Sequence, residues 1–310
     1  MDTVLILLAA YNGQKYVGEM IDSIISQDYN DWHLVLSDDS SSDSTFSVLE
    51  EYANKYPEKI THYKSGQKFG NAQNHFMHLL EQYNDAPYIM FCDQDDVWHS
   101  DKISKTLNKM KEIERDSDVP AMVHTDLCVV DGDLNILDSS FMHFSKLDGS
   151  RLSLNNLLAQ NVVTGCTMMI NKSLAKQAVQ SAVKGEILMH DWWLALIASA
   201  YGQTGFLEDA TIDYRQHNDN VVGAKNIRSV SYLLKKVFNK ETKTVIKQTF
   251  TQAKSIYECL DGSIGEKENE ILKQYAMLEK DNWFKRQYKY IKYDFYKNGI
   301  VRKIGQIIWG

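Results

Sequence analysis

Tyr88-Ile89-Met90-Phe91-Cys92-Asp93-Gln94-Asp95-Asp96 is an apolar, uncharged run that ends in three acids within four residues. A buried strand reads this way when it delivers its last residues to the edge of a sheet. Carboxylates crowded there repel one another unless a cation sits among them. A divalent metal with oxygen ligands meets that need and also holds phosphate. The stretch therefore predicts a metal–diphosphate site at the C-terminal edge of an α/β sheet.

The sequence on either side has the alternation such a sheet requires. Thr3 to Ala9 is a short apolar run broken by Tyr11-Asn12-Gly13, and Tyr16, Val17, Met20, Ile21, Ile24 and Ile25 then recur at helical spacing. Trp32 to Leu36 predicts a second strand, and Ser37-Asp38-Asp39-Ser40-Ser41-Ser42-Asp43 ends it and offers a cap to the helix through Phe46, Leu49 and Tyr52. Lys59 to Tyr63 predicts a third strand, 72–82 a helix, and Pro87 the start of the fourth strand. The first hundred residues thus read β-α-β-α-β-α-β, which implies a parallel sheet with helices on both faces and ligands at the carboxyl ends of its strands. Later residues predict a helix to about Arg115, strands at 121–130 and 164–170, a short helix at 152–160, an apolar helix at 190–200, and two strands at 204–207 and 210–214. Beyond Ala224 only helical patterns follow (230–238, 242–260, 267–293), so a boundary is expected near residue 225. Residues 1–224 then form the ligand-binding domain and 225–310 a helical C-terminal region.

Bulk properties exclude several classes. The 310 residues carry a net charge of −7, which argues against a general nucleic-acid binder. No apolar run reaches the roughly 18–20 residues that span a bilayer. The start, Met1 to Leu8, lacks a basic leader and reads as a strand rather than a signal peptide. Cys92, Cys128, Cys166 and Cys259 have neither metal-ligand nor redox spacing; buried free thiols in a reducing cytosol are the expectation. There is no G-x-G-x-x-G after the first strand and no P-loop, so phosphate would be held chiefly by a metal. From Trp283 to Gly310 seven cations face only Asp294, a local +6 that leaves −13 for the rest.

Four motifs occur together: Ala9-Ala10-Tyr11-Asn12-Gly13, Ser37 to Asp43, Asp93-Gln94-Asp95-Asp96 and His190-Asp191-Trp192. In this order, across about residues 3–223, they resemble family 2 glycosyltransferases of the GT-A fold. Phe91 to Trp98 and Tyr214 to Gly223 are similar to bacterial rhamnosyltransferases that build cell-wall or capsular polysaccharide. The resemblance implies an inverting enzyme that uses Mg²⁺ or Mn²⁺ and moves L-rhamnose from dTDP-rhamnose to a glycan or lipid-linked glycan. It would work in the cytoplasm or at the cytoplasmic face of the membrane.

The resemblance assigns roles residue by residue. Asp93 and Asp95 match the D-x-D pair, whose alternate positions on an extended chain reach one ion that neutralises the leaving diphosphate. Gln94 joins the donor pocket, and Asp96 is either a ligand or a cap. Asp38 and Asp39 accept from the base imide and ribose hydroxyls, while N-capping explains the same cluster. The backbone at Ala9, Ala10 and Tyr11 lines the pocket; Asn71 and Asn74 add polar contacts or merely cap a helix. Asp191 is the candidate general base, because inversion needs a carboxylate to take the acceptor hydroxyl's proton, while a helix N-cap carboxylate explains the same position. Its place at a helix N-terminus predicts a depressed pKa. The family more often has Glu before this Asp, so His190 stays open between a supporting contact, an acceptor contact and core. Trp192 and Trp193 fall on different helix faces, so that core packing is the default for either and one of them could present its ring to a sugar. His217 completes the metal shell or touches the diphosphate, and Arg215 pairs with phosphate or near Asp191. Trp283, Phe284, Tyr288 and Trp309 interleave with the cations of the tail, a pattern suited to a membrane surface or to packing on protein.

Three rivals remain. A UDP-hexose donor keeps the chemistry and changes the nucleotide. A catalytically weak nucleotide-binding partner in glycan assembly would not require Asp93, Asp95 and Asp191 together. A nucleotidyltransferase lacks the basic activating motif expected near the first loop.

Overall fold

The computed structural model describes residues 2–182, 187–216, 240–260 and 262–309. The first half follows the expected alternation. Strand β1 (Val4–Ala10) leads to helix α1 (Val17–Ile25), β2 (Trp32–Asp38) to α2 (Thr45–Lys55), β3 (Ile60–Tyr63) to α3 (Ala72–Gln82), and β4 (Tyr88–Cys92) ends at the acids. A two-residue strand β5 (Val97–Trp98), helix α4 (Lys102–Ile113), β6 (Ala121–Val130) and β7 (Ile136–Asp138) follow. Short helices α5 (Phe141–Ser145) and α6 (Leu154–Ala159) precede a 3₁₀ turn, Gly165–Thr167, and β8 (Met168–Asn171). Helices α7 (Lys172–Ala182) and α8 (His190–Tyr201) and strand β9 (Gln203–Arg215) close the sheet. The C-terminal region is helical: α9 (Lys240–Leu260), α10 (Glu266–Ala276), α11 (Trp283–Tyr293) and α12 (Ile300–Trp309).

The strand order is β3-β2-β1-β4-β8-β6-β9-β5, with β7 beside β6. Pairs β2–β3, β1–β2 and β1–β4 are parallel, and β8 then runs antiparallel to both β4 and β6. This register places Ala10 opposite Asp38 and Leu8 opposite Cys92. Three strand ends, and the polar loops after them, therefore share one edge.

Period-two alternation builds a core on each face. Leu5, Leu7, Ile89 and Phe91 join a cluster with Phe76 of α3 and Trp193 of α8. Val4, Ile6, Leu8, Met90 and Cys92 join another with Met20 and Ile21 of α1 and Leu107 of α4. Helix α1 buries Val17, Met20, Ile21 and Ile24, a single stripe at i, i+3, i+4 and i+7. Helix α8 is buried on nearly all sides, as an apolar helix must be. Helices α6 and α7 pack against it, and the C-terminal region packs in turn on those two, with Phe250, Leu272, Tyr275, Tyr290 and Phe295 in the cluster of Trp193 and Leu157. Gly202, in the left-handed region at φ 86°, ends α8 at no steric cost.

Three local expectations change. The two strands at 204–207 and 210–214 are one strand, β9, which passes exposed Glu208 and Asp209 with a register break opposite Thr125–Asp126. The strand at 164–170 begins with the 3₁₀ turn at Gly165. The single helical pattern at 267–293 is two helices separated by a 3₁₀ turn at Met277–Lys280. The pattern at 230–238, the expected boundary near 225 and His217 lie outside the described residues.

Candidate functional site

The edge after β1, β2 and β4 is stitched by side chains that bond to loop backbone. Asn12, in the left-handed region at φ 50°, donates its amide to Ser41 Oγ at 2.8 Å and accepts at Oδ1 from the Ser42 amide at 2.8 Å. Gly13 N donates to Thr45 Oγ1 at 2.8 Å. Asp38 accepts from the Ser41 amide at 2.9 Å and from the Ser41 hydroxyl. Asp39, buried, accepts from the amides of Phe69 and Gly70, the latter at 2.8 Å. Both Asp39 oxygens thus pin the 66–71 loop to the end of β2. Asn71 caps α3, its Oδ1 accepting from the Asn74 amide at 2.8 Å, and the Asn74 side chain donates to the Phe69 carbonyl. Around this lattice, Tyr11 is about half exposed, the Lys68 ammonium lies 5.5 Å from its ring centroid, and Phe69 stacks on His75 at 4.6 Å.

Gln94 couples β1 to β4. Its Oε1 accepts from Tyr11 N at 2.8 Å and its Nε2 donates to the Tyr11 carbonyl at 2.9 Å. The two-sided bond explains Gly13, where a Cβ would stand 2.2 Å from Gln94 Oε1. Both ends of the Gln94 amide are thus engaged by the Tyr11 backbone.

The acids themselves sort differently from the D-x-D expectation. Ligand atoms of Asp93, Asp96 and Cys166 lie within 4.8 Å of one another, a group without Asp95. Burial, then the Asp95 and Asp191 charges, raises the Asp93 carboxyl to about 7. Asp96 is buried, and burial followed by the Asp95 and Asp93 charges pushes its carboxyl well up. One Asp96 oxygen accepts from Arg215 N at 3.2 Å, and the other is buried without a hydrogen-bond partner. An orphaned carboxylate oxygen among raised carboxyls is the environment that a divalent cation relieves. The two carboxylates are the hard oxygen donors such an ion takes, and the Cys166 thiol, which burial pushes up, lies beside them.

Arg215 departs from its expected role. Its Nε donates to the Asp95 carbonyl at 2.9 Å, Nη1 to the Gly132 carbonyl at 2.8 Å and Nη2 to Glu19, and the guanidinium covers the Tyr16 ring. It is buried and braces the acid turn.

Asp191 lies in the first turn of α8, 8% exposed. Its pKa is raised to about 7, a correction of the depressed value that the helix terminus implied. Burial is the largest cause, and hydrogen bonds from the Trp192 amide, the Gly165 backbone and the Asn161 side chain only partly offset it. A helix terminus contributes roughly 0.3–1 kcal/mol, less than desolvation of a buried carboxylate. His190 is core: buried against Phe76 (4.5 Å) and Phe91 (5.3 Å), with neither ring nitrogen hydrogen-bonded and burial depressing its pKa to about 3. Trp193 is fully buried, while Trp192 is half-buried and donates to the Leu157 carbonyl at 2.7 Å.

Gly165 and Cys166 join the two groups. A Cβ at Gly165 would lie 2.6 Å from His190 Nε2 and 3.7 Å from Asp191 Cβ, so only glycine lets α8 approach, while the next residue, Cys166, faces Asp93 and Asp96. Two further residues escape sequence reading. Asn161 supports Asp191, and Lys102 is fully buried with its Nζ 4.7 Å from the Trp98 ring centroid and 3.3 Å from Thr211 Oγ1. Burial lowers the Lys102 pKa to about 8, against the pull of Cys166, Cys92 and Asp96. A cation in the first turn of α4 opposes the helix dipole, and that was the available signal.

A sequence model described as "Glycosyl transferase family 2" matches residues 5–178. The dTDP-rhamnosyl transferase RfbG of Shigella flexneri is 28% identical over 233 residues, covering 70% of this chain and 74% of that one. The structure is similar to S. aureus TarS 1–349 in complex with UDP, with a TM-score of 0.58, 14% identity, and 94% of this chain and 72% of that one covered. It is also similar to the mannosyltransferase PcManGT from Pyrobaculum calidifontis in complex with GDP-Man and Mn²⁺, with a TM-score of 0.53, 18% identity, and 92% and 72% covered. The fold is the GT-A arrangement, a mixed sheet flanked by helices with a helical C-terminal extension.

Proposed function

The chain belongs to the family 2 glycosyl transferases, and on that premise we propose that it is an inverting, metal-dependent rhamnosyltransferase. It moves L-rhamnose from dTDP-rhamnose to a growing, lipid-linked cell-wall or capsular glycan at the cytoplasmic face of the membrane. The observation that carries the reading is the Gly165–Cys166 junction, which sets the buried Asp191 beside the Asp93–Asp96 carboxylates. The RfbG relative supports the donor, and the Mn²⁺ in the PcManGT complex supports the ion.

Asp93 and Asp96 would hold the ion, with Cys166 against it and Asp95 adding charge. When bound, that ion supplies positive charge to the leaving diphosphate. The other steps belong to the chain. The loop fixed by Asp39, with Tyr11 and Asp38, receives the nucleoside. Asp191 takes the proton of an acceptor hydroxyl as that oxygen attacks the anomeric carbon from the face opposite the diphosphate. The bond from anomeric carbon to diphosphate oxygen breaks, and a β-linked donor yields an α-rhamnoside. A carboxyl near 7 suits this role, since it is ionised in part at neutral pH and strong enough as a base to accept the proton.

A second reading keeps every step and exchanges the donor for a UDP-hexose, and the UDP bound in TarS favours it. One experiment separates the two: a panel of dTDP- and UDP-sugars, with Mg²⁺ or Mn²⁺ and with chelator. Turnover with dTDP-rhamnose and metal is expected. Turnover with a UDP-hexose alone moves the donor assignment, and no turnover or binding with any donor overturns the enzyme reading.

A further inference from the structure

We propose that helices α11 and α12 form a face that lies on an anionic lipid bilayer. No described helix is long and apolar enough to cross a membrane, so such contact would be in the plane of the surface. On α11 the residues at i, i+4 and i+7, Phe284, Tyr288 and Ile291, are 78%, 61% and 71% exposed. On α12 the residues at i, i+4 and i+8, Ile300, Ile304 and Ile308, are 78%, 46% and 43% exposed. Each helix therefore has two stripes, one packed inward and one left to solvent. The helices are neighbours: Trp283 Nε1 donates to the Ile307 carbonyl at 2.9 Å. Large apolar side chains lined up on two adjacent helices are unusual on a water-facing surface.

The charge around these stripes selects the occupant. Lys292 lies over the rings of Tyr288 and Tyr293 at 5.9 and 5.0 Å, and Lys303 over Tyr296 at 5.3 Å. Asp281 neutralises Lys285 and Lys289 at 2.7 and 2.6 Å, and Asp294 turns away to Asn156. Arg302 donates to the carbonyls of Lys146 and Asn298 at Nη1 and of Ser145 at Nη2, neutral acceptors that leave its charge uncompensated there. The face is cationic on an acidic protein. A twofold dimer would set these cations against themselves. Aromatic and basic residues around aliphatic ones match the polar–apolar boundary of a bilayer with anionic headgroups.

The face is tied to the acceptor side of the site. Asn155 Nδ2 donates to the Tyr293 carbonyl at 3.0 Å and Arg151 Nη2 to the Tyr296 carbonyl at 2.9 Å. Asn155 belongs to α6, whose Leu157 carbonyl holds Trp192 beside Asp191. A lipid-linked acceptor at the surface would thus meet the half of the site that holds the base. This last step rests on the lipid-linked acceptor proposed above; the surface contact does not.

The full chain is spun with vesicles of phosphatidylcholine alone and with one quarter phosphatidylglycerol, alongside Ile291→Glu/Ile300→Glu and Lys292→Glu/Lys303→Glu. Sedimentation with the anionic vesicles is expected, lost by about tenfold or more in the isoleucine pair and reduced about fivefold per cation removed, near 1 kcal/mol each. The thermal shift with dTDP should be unchanged in both variants, because the substituted positions are on the surface. Failure of the wild type to bind either vesicle, with the dTDP shift intact, overturns the face and leaves the transferase reading standing. A wild-type dimer that the isoleucine pair converts to monomer also overturns it.

Discussion

The proposed donor edge and the proposed acceptor side of this site are built by opposite means. After β1, β2 and β4 nearly every polar side chain is spent on a neighbouring loop: Asn12 on Ser41 and Ser42, Asp39 on Phe69 and Gly70, Gln94 on Tyr11. Around Asp191 the polar groups are few and buried, and neither ring nitrogen of His190 is hydrogen-bonded. The first region holds its shape by hydrogen bonding and can stay wet. The second holds it by packing, and excluding water is what lifts the Asp191 carboxyl to about 7. Nucleotide recognition tolerates solvent; proton transfer at neutral pH profits from a buried carboxylate.

The sharpest way to break the comparison is Asp191→Asn. Transfer should fall by about 10²–10⁴-fold while the dTDP thermal shift persists. Full activity would remove Asp191 as the base. Next, Asp96→Asn keeps the shape but removes the charge of the orphaned carboxylate. Metal-supported donor affinity should fall by about 10²-fold, seen by calorimetry with and without Mn²⁺. An unchanged affinity would return the ion to Asp93 and Asp95 alone.

A pH profile separates the halves further. Both Asp93 and Asp191 are raised to about 7. Saturating metal keeps Asp93 ionised, so an activity limb rising through about pH 7 at saturating metal belongs to Asp191. Stability has the opposite sign. Asp191 binds its proton more tightly folded than unfolded, so it stabilises below its ordinary 3.8 and loses that contribution as pH rises through about 7. Buried His75, His124 and His190, depressed to about 4, 4 and 3, act in reverse. The wild type minus Asp191→Asn difference in melting temperature should therefore decline between about pH 4 and about pH 7. A flat difference would mean the carboxyl is not desolvated.

Gly13→Ala tests the donor lattice at a smaller scale. Its Cβ would displace Gln94 and unpair Tyr11, at about 1–3 kcal/mol of stability, with weaker dTDP binding and little change in the pH limb.

The donor edge was legible because its signals are local. Apolar runs bounded by Gly, Asn and Asp located β1, β2 and β4 nearly to their observed ends, and α3 and β6 at those ends. The acceptor side depends on distant partners. Nothing near Cys166 shows that it meets Asp93 and Asp96 rather than a plain apolar core. Nothing near Arg215 predicts the Asp95 and Gly132 carbonyls. Strand β9 reads as two because exposed Glu208 and Asp209 interrupt its alternation, although a register break lets the pairing continue. The Asp191 shift runs against its expected direction because a helix terminus is visible in sequence and burial is not.

His190→Met is the finest test of whether packing alone holds the acceptor side. The ring touches Phe76 and Phe91, presses on Gly165 and satisfies neither nitrogen. A flexible apolar chain of similar volume should fill the space without a desolvated polar group. If the side is built by packing, melting temperature holds or rises slightly and kcat stays within about threefold, the scale of a repacking below about 1 kcal/mol. If instead kcat falls while the dTDP shift and the pH limb are intact, His190 acts on the acceptor. The residue before the base would then be part of the chemistry, and the contrast between a hydrogen-bonded half and a packed half would fail where it is drawn most strongly.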